Sequence, residues 1–264
     1  MNFDLLITFL LPAFAGLTYF AMAYEVRRTS RLRALMFGEI GFKKMEIAFI
    51  MFGIYFITRP LQNVLGPYPM PLLINSARQF FLMAVIAPSI LVAIFHWVPT
   101  PGGAPKTSAW AAYIIGILMG TIFVLMNSIA VDQSKFVASL GFLNIYDGVW
   151  FAGGKRLYQI VAVHLICQFV SPVGFLLLSA AYVRHRRHNY QLRQIYNLIP
   201  KKWRYLEASF IIFAASFLIA GAAAVFGSYY TYIWSIYFIG AIVSGAFAML
   251  SIKIPPREMP ADLK

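Results

Sequence analysis

Apolar runs long enough to form spanning helices recur seven times along the chain. A helix rises about 1.5 Å per residue, so roughly 20 apolar residues cross a ~30 Å hydrocarbon core. Residues 4–23, 45–64, 72–96, 109–131, 157–182, 208–227 and 230–252 meet that length. The last two belong to one uncharged stretch from Ala208 to Ile252. As a single helix it would be roughly 67 Å long, twice the membrane, so the pattern predicts a tight reversal at Gly227-Ser228-Tyr229-Tyr230. The sequence therefore predicts an all-α integral membrane protein: one bundle of seven transmembrane helices over residues 1–254, then a short tail over 255–264.

Composition supports this reading. Hydrophobic residues make up 61% of the 264 and charged residues 12%, with a mean hydropathy of +0.73. A soluble domain of this size cannot hide that much apolar surface. The formal charge of +13 matters through its distribution between the two membrane faces, and it does not point to nucleic acid. Seventeen of the 22 lysines and arginines fall on one side of the predicted bundle, leaving Arg59, Arg78, Lys135, Lys155 and Arg156 on the other. The positive-inside bias makes the rich side cytoplasmic, with the N-terminus outside and the C-terminus inside, in a plasma or inner membrane. The first run carries Asp4 and no leading basic residues, so the Ala13–Ala15 tripeptide reads as part of an uncleaved span.

Most membrane chemistries find no residues to carry them. No carboxylate lies at mid-depth in a span, which argues against proton-driven transport. His96 and His164 fall at different depths and cannot bracket one haem. No HExxH or GxSxG motif occurs, and the last span has no lysine to hold retinal. Cys167 is the single cysteine, and His185 and His188 have no acidic or thiol companion, so no metal, cofactor or catalytic residue is expected.

What remains is a polar concentration at the external ends of the spans. Asn75, Arg78 and Gln79 follow i, i+3, i+4 spacing and share one face of span three; Arg59, Gln62 and Asn63 repeat it on span two. Asp132, Gln159 and His164 add to the set from spans four and five. Two arginines standing where basic residues are scarce fit a pocket for a small anionic or zwitterionic ligand. Headgroup snorkelling and interhelical hydrogen bonding explain the same residues without a ligand.

Elsewhere the chain offers contact surfaces. The cytoplasmic connection 182–207 interleaves Arg184, Arg186, Arg187, Arg193, Lys201, Lys202 and Arg204 with aromatic and aliphatic residues, suiting anionic headgroups or a partner protein. Gly116 and Gly120, and Gly240 and Ser244, form small-xxx-small pairs that permit close helix packing, within the bundle or in an oligomer. The external segment 131–156 reads as amphipathic, lying in the interface or folding over the bundle mouth as a lid.

In topology the chain resembles the seven-helix modules with external N-termini that front many receptors and bacterial sensors. That resemblance implies a sensory or receptor-type module signalling through its basic cytoplasmic side. The terminal KIPPREMPADLK is too short for an output domain, so a separate partner or a longer chain is expected to carry the signal. Two other readings use the same residues: a non-catalytic integral subunit of a larger assembly, and a facilitative small-solute transporter.

Overall fold

The computed structural model describes residues 5–37, 39–64, 70–97, 106–128, 132–140, 143–150, 156–191, 198–225 and 231–252. Nine α-helices in these residues build seven rods. They are α1 (Leu11–Phe37), α2 (Glu39–Val64), α3 (Met70–Phe81), α4 (Ala87–Trp97), α5 (Lys106–Ser128), α6 (Arg156–Gln168), α7 (Gly174–Gln191), α8 (Leu198–Val225) and α9 (Thr231–Ile252). The third rod is α3 joined to α4 through the π-helical turn Leu82–Ile86, and the fifth is α6 joined to α7 through Phe169–Val173. A third such turn, Leu6–Leu10, precedes α1.

Among the described residues, six stretches are long and apolar enough to cross a membrane, and the chain is an integral multi-pass membrane protein. Several rods outrun the apolar segments that predict them. Helix α1 continues through Arg27 and Arg28 to Phe37, α7 runs on to Gln191, and α8 starts at Leu198. Arginine, lysine and glutamine favour helix, and at a membrane surface water solvates their heads, so nothing stops the helix where the hydrocarbon ends. The predicted reversal at 227–230 lies outside the described residues, between the ends of α8 and α9.

Proline explains two of the π turns. Leu6–Leu10 and Leu82–Ile86 each end two residues before a proline, Pro12 and Pro88. A proline inside a helix removes one donor and crowds the carbonyl four residues back, and widening the preceding turn relieves that crowding. In the third rod the Ala87 N–H bonds the Leu82 carbonyl, five residues back. The Met83 carbonyl thereby loses its α-helical donor, and its π-helical donor would be Pro88, which has no N–H. Ser171, inside the π turn of the fifth rod, donates its hydroxyl to Met83 O at 2.9 Å.

The rods close into a ring. Helix α1 packs on α2 and α9, α2 on α3 and α4, α4 on α7, and α7 and α6 on α8, which packs on α9. The fourth rod, α5, stands outside this ring against the third and fifth rods. Its outward face bears Trp110, Ile114, Leu118 and Leu125, all exposed, as lipid contact requires. The ring is filled by aromatic side chains. Tyr19 stacks on Phe52 (5.0 Å between centroids) and Phe56 (5.4 Å), and Phe56, Phe213, Phe217, Tyr237 and Phe238 continue the cluster into α8 and α9.

Between the fourth and fifth rods the chain forms a two-stranded antiparallel hairpin, β1 (Asp132–Leu140) and β2 (Leu143–Trp150), where an amphipathic segment was expected. Its register pairs Asp132 with Trp150 and Lys135 with Asp147, and a bulge falls between Phe136 and Ala138. Strand β2 packs against α2. The hairpin thus reaches from the fourth and fifth rods to the second.

Candidate functional site

The polar residues of α3 meet α2 at the end of the bundle that carries the hairpin. Arg78 is buried there with 7% exposure. Its Nε donates to the Tyr55 carbonyl at 3.2 Å and to Thr58 Oγ1 at 3.0 Å, and Nη2 donates to the same carbonyl at 2.8 Å. The guanidinium also lies over the Tyr55 ring, 4.6 Å from its centroid. Thr58 turns its own hydroxyl proton back to the Ile54 or Tyr55 carbonyl, both at 2.9 Å, which leaves an oxygen lone pair for Arg78. A planar fork with fixed donors suits this geometry, and a flexible ammonium would not.

One residue along, Gln79 Nε2 donates to the Tyr55 hydroxyl at 3.2 Å. The Gln79 Oε1 atom is buried and has no hydrogen-bond partner among the described residues. Rotating the amide would exchange the two atoms and still leave one of them unmatched. The Tyr237 hydroxyl of α9 is also buried; it approaches the Tyr55 hydroxyl without reaching hydrogen-bond geometry and has no other partner among the described residues. Asn75, one turn before Arg78, is buried at 8% exposure, and Arg59 is half-buried beside Thr58. The cluster rests on the aromatic core, with Tyr55 edge-on to Phe56 at 5.3 Å and Tyr237 edge-on to Phe217 at 4.7 Å.

The nine predicted ligand residues do not all converge here. His164 of α6 faces the fourth rod: its ring stacks on Phe123 at 4.0 Å between centroids and hydrogen-bonds the Phe123 backbone. Its neighbours there include Cys167 and Met83, whose side chains pack with Phe123. Gln62, Asn63, Asp132 and Gln159 are placed by backbone alone, on α2, β1 and α6. Tyr55, Thr58 and Tyr237 complete the cluster, and sequence reasoning passed over them. Nothing in an apolar run separates a tyrosine that presents its hydroxyl and carbonyl to a neighbour from one that only fills space.

The small-residue pairs both act inside the bundle. A Cβ on Gly116 would collide with the Met83 carbonyl and lie 2.8 Å from Pro88, and one on Gly120 would lie 3.0 Å from Phe80. Gly240 gives room to Ser216, while Ser244 and Ser209 share a hydrogen bond at 3.0 Å beside the Tyr19 hydroxyl.

At the opposite, basic end, Glu207 of α8 ties the fifth and sixth rods. Its Oε2 lies 2.7 Å from Arg187 Nη1 and its Oε1 3.9 Å from Arg184 Nε. Arg187 is largely covered, whereas Arg184 and Arg204 are exposed. The Arg186 guanidinium lies 5.9 Å from the centroid of the Tyr182 ring, and Lys202 is half-buried. Lys201 is placed by backbone alone, and Arg193 lies outside the described residues. His96 Nδ1 donates to the Val92 carbonyl at 2.7 Å, so its Nε2 accepts from Lys44 Nζ at 3.1 Å and links the second and third rods. Glu207, Lys44 and His96 were legible only as charges near span ends.

No family model and no curated protein matches this chain. Among solved structures, squid rhodopsin is similar over 94% of this chain and 81% of its own, at 9% identity and a TM-score of 0.42.

Proposed function

We propose that the chain is a sensory or receptor-type seven-helix module whose polar cluster at the Arg78 end binds a small anionic or zwitterionic ligand. The charge bias of the loops makes that end the external one. The observation that supports the reading is Gln79 Oε1, buried without a hydrogen-bond partner among the described residues beside a cation already held by α2, with the buried Tyr237 hydroxyl facing the Tyr55 hydroxyl next to it. Buried polar atoms without partners are rare in proteins, and a bound molecule is one of the standard ways to satisfy them. The amide and the hydroxyl offer both acceptor and donor capacity next to a positive guanidinium, which matches a ligand bearing an anionic and a protonated group. Binding there bears on α2, α3 and α9 together, and the change passes along these rods to the basic end. The exposed Arg184 and Arg204 are the surfaces for anionic headgroups or a downstream protein.

Purified protein in lipid nanodiscs tests this by thermal unfolding against a panel of small carboxylates, amino acids and betaines. A ligand at a hundred times its Kd stabilises the folded state by about 2.7 kcal/mol. The stabilisation is expected in the wild type and lost in Gln79→Leu and Tyr237→Phe. Equal stabilisation of both variants would place binding elsewhere, and a silent panel with both variants as stable as wild type would remove the pocket.

One observation favours the non-catalytic subunit instead. Arg78 directs Nε and Nη2 to the chain's own Tyr55 carbonyl, as a purely architectural staple does, and α5 presents a broad apolar face outside the ring. Stable co-purifying membrane proteins after mild detergent extraction support that reading.

A further inference from the structure

We propose that the β1–β2 hairpin is a lid over the Arg78 cluster and must lift from α2 to expose the cluster to water. The inference rests on the cluster proposed above as a site, but its test needs no ligand.

The chain path carries the argument. The hairpin leaves the fourth rod and returns to the fifth, yet β2 packs on α2, which lies on the far side of the third rod. To make that contact it spans the mouth of the bundle between the fifth rod and α2, the helix that supplies the Tyr55 carbonyl and the Thr58 hydroxyl to Arg78. Beneath this crossing the bundle is open-ended. Helix α4 packs on α2, α5 and α7, and the two π turns touch, whereas α3 packs on α2 and α5. The third and fifth rods thus meet at their π turns and basic halves and part toward the hairpin end. Asn75 lies only five residues beyond Met70, roughly 7.5 Å along the axis, yet it is buried at 8% exposure. Arg78 is about one turn deeper and equally covered.

The hairpin is built to move as one piece. Its ladder runs from Asp132↔Trp150 to Leu140↔Leu143, and the Ser139 hydroxyl donates to Asn144 Oδ1 at 2.9 Å near the closed end. An isolated two-stranded ribbon is marginal in water, so its order depends on the helix beneath it. Release from α2 therefore costs little compared with unfolding the bundle, and such low-stability elements are the ones that open locally.

The test is thiol accessibility in nanodiscs, in a Cys167→Ser background. Gln79→Cys reports the cluster and Arg204→Cys, exposed at the other end, serves as reference. The reagent is a charged maleimide that does not enter lipid. In one variant residues 132–150 are replaced by a Gly/Ser linker of equal length; in a milder one Val149→Pro interrupts the ladder opposite Gln133. Labelling of a covered thiol scales with the open fraction, so Gln79→Cys is expected to react about tenfold faster in both variants, with Arg204→Cys unchanged. If the linker variant fails to fold, as judged by elution and helical circular dichroism, the proline variant decides alone. Unchanged Gln79→Cys rates in folded protein overturn the lid. A faster rate with no ligand in the thermal panel keeps the lid and removes only the binding role.

Discussion

Ser171 donates its hydroxyl to the Met83 carbonyl across the interface of the third and fifth rods. That carbonyl is the one that the π turn and Pro88 together deprive of a backbone donor. A defect in one helix is thus repaired by a side chain from a defect in another, at the depth where lipid offers no substitute. Gly116 stands against the same carbonyl, so three rods are fixed at one point.

Ser171→Ala removes the donor and leaves Met83 O unmet. Destabilisation of about 1–2 kcal/mol is expected, toward the upper end of interhelical hydrogen bonds in membranes because the acceptor is already orphaned. Unfolding in mixed micelles measures it, and Ser171→Thr, which keeps a hydroxyl, should recover much of the loss.

Gly116→Ala drives a methyl into a backbone oxygen and a proline ring, neither of which can rotate aside. Gly120→Ala meets chiefly the Phe80 ring. The first variant is expected to cost about 1–3 kcal/mol, the range for overpacking, and the second clearly less. Equal effects on unfolding midpoints would contradict the close approach of α5 to the π turn.

At Arg78 the conservative replacement is expected to be the worse one. Lysine keeps a buried charge but cannot reach the Tyr55 carbonyl twice and Thr58 once. Methionine fills similar space without charge, and Tyr55 O and Thr58 retain their intrahelical bonds. Arg78→Lys is therefore expected to lower stability by about 1–3 kcal/mol and Arg78→Met by less, since buried ions are often replaceable by apolar groups. Thermal unfolding of the two proteins in the same lipid gives the order.

Glu207→Gln leaves Arg187 and Arg184 facing a neutral amide. Because both members of the close pair are mostly covered, a double-mutant cycle between Glu207→Gln and Arg187→Gln is expected to return about 1–2 kcal/mol of coupling. The same cycle with Arg184, 74% exposed at 3.9 Å, should return almost none.

The seven rods were legible because spanning helices need long apolar runs, and nothing else in a soluble vocabulary produces them. Their true ends were not, since the helix continues where the apolar signal stops, as α1 does through Arg27 and Arg28. Arg78, Gln79 and Asn75 stood out as costly polarity on one helical face, but Tyr55 and Tyr237 look like ordinary core residues. His164 was grouped with Arg78 by depth; its rotation about the rod axis instead turns it to Phe123. The hairpin escaped detection because its bulge between Phe136 and Ala138 breaks the period-two alternation by which a strand is read. Gly116 and Gly120 were visible as small positions, yet only the structure says which helix they admit.

The ring closes where Gly245 of α9 meets Thr18 and Met22 of α1. The first rod therefore cannot find its last neighbour until α9 has been made. At ordinary translation speeds the ~190 residues between α1 and α9 take roughly 10–40 s. During that interval the nascent protein sits in the bilayer as an open crescent with one flank of α1 uncovered. Whatever shelters that flank, lipid or an insertion factor, acts on this protein before its ring can close.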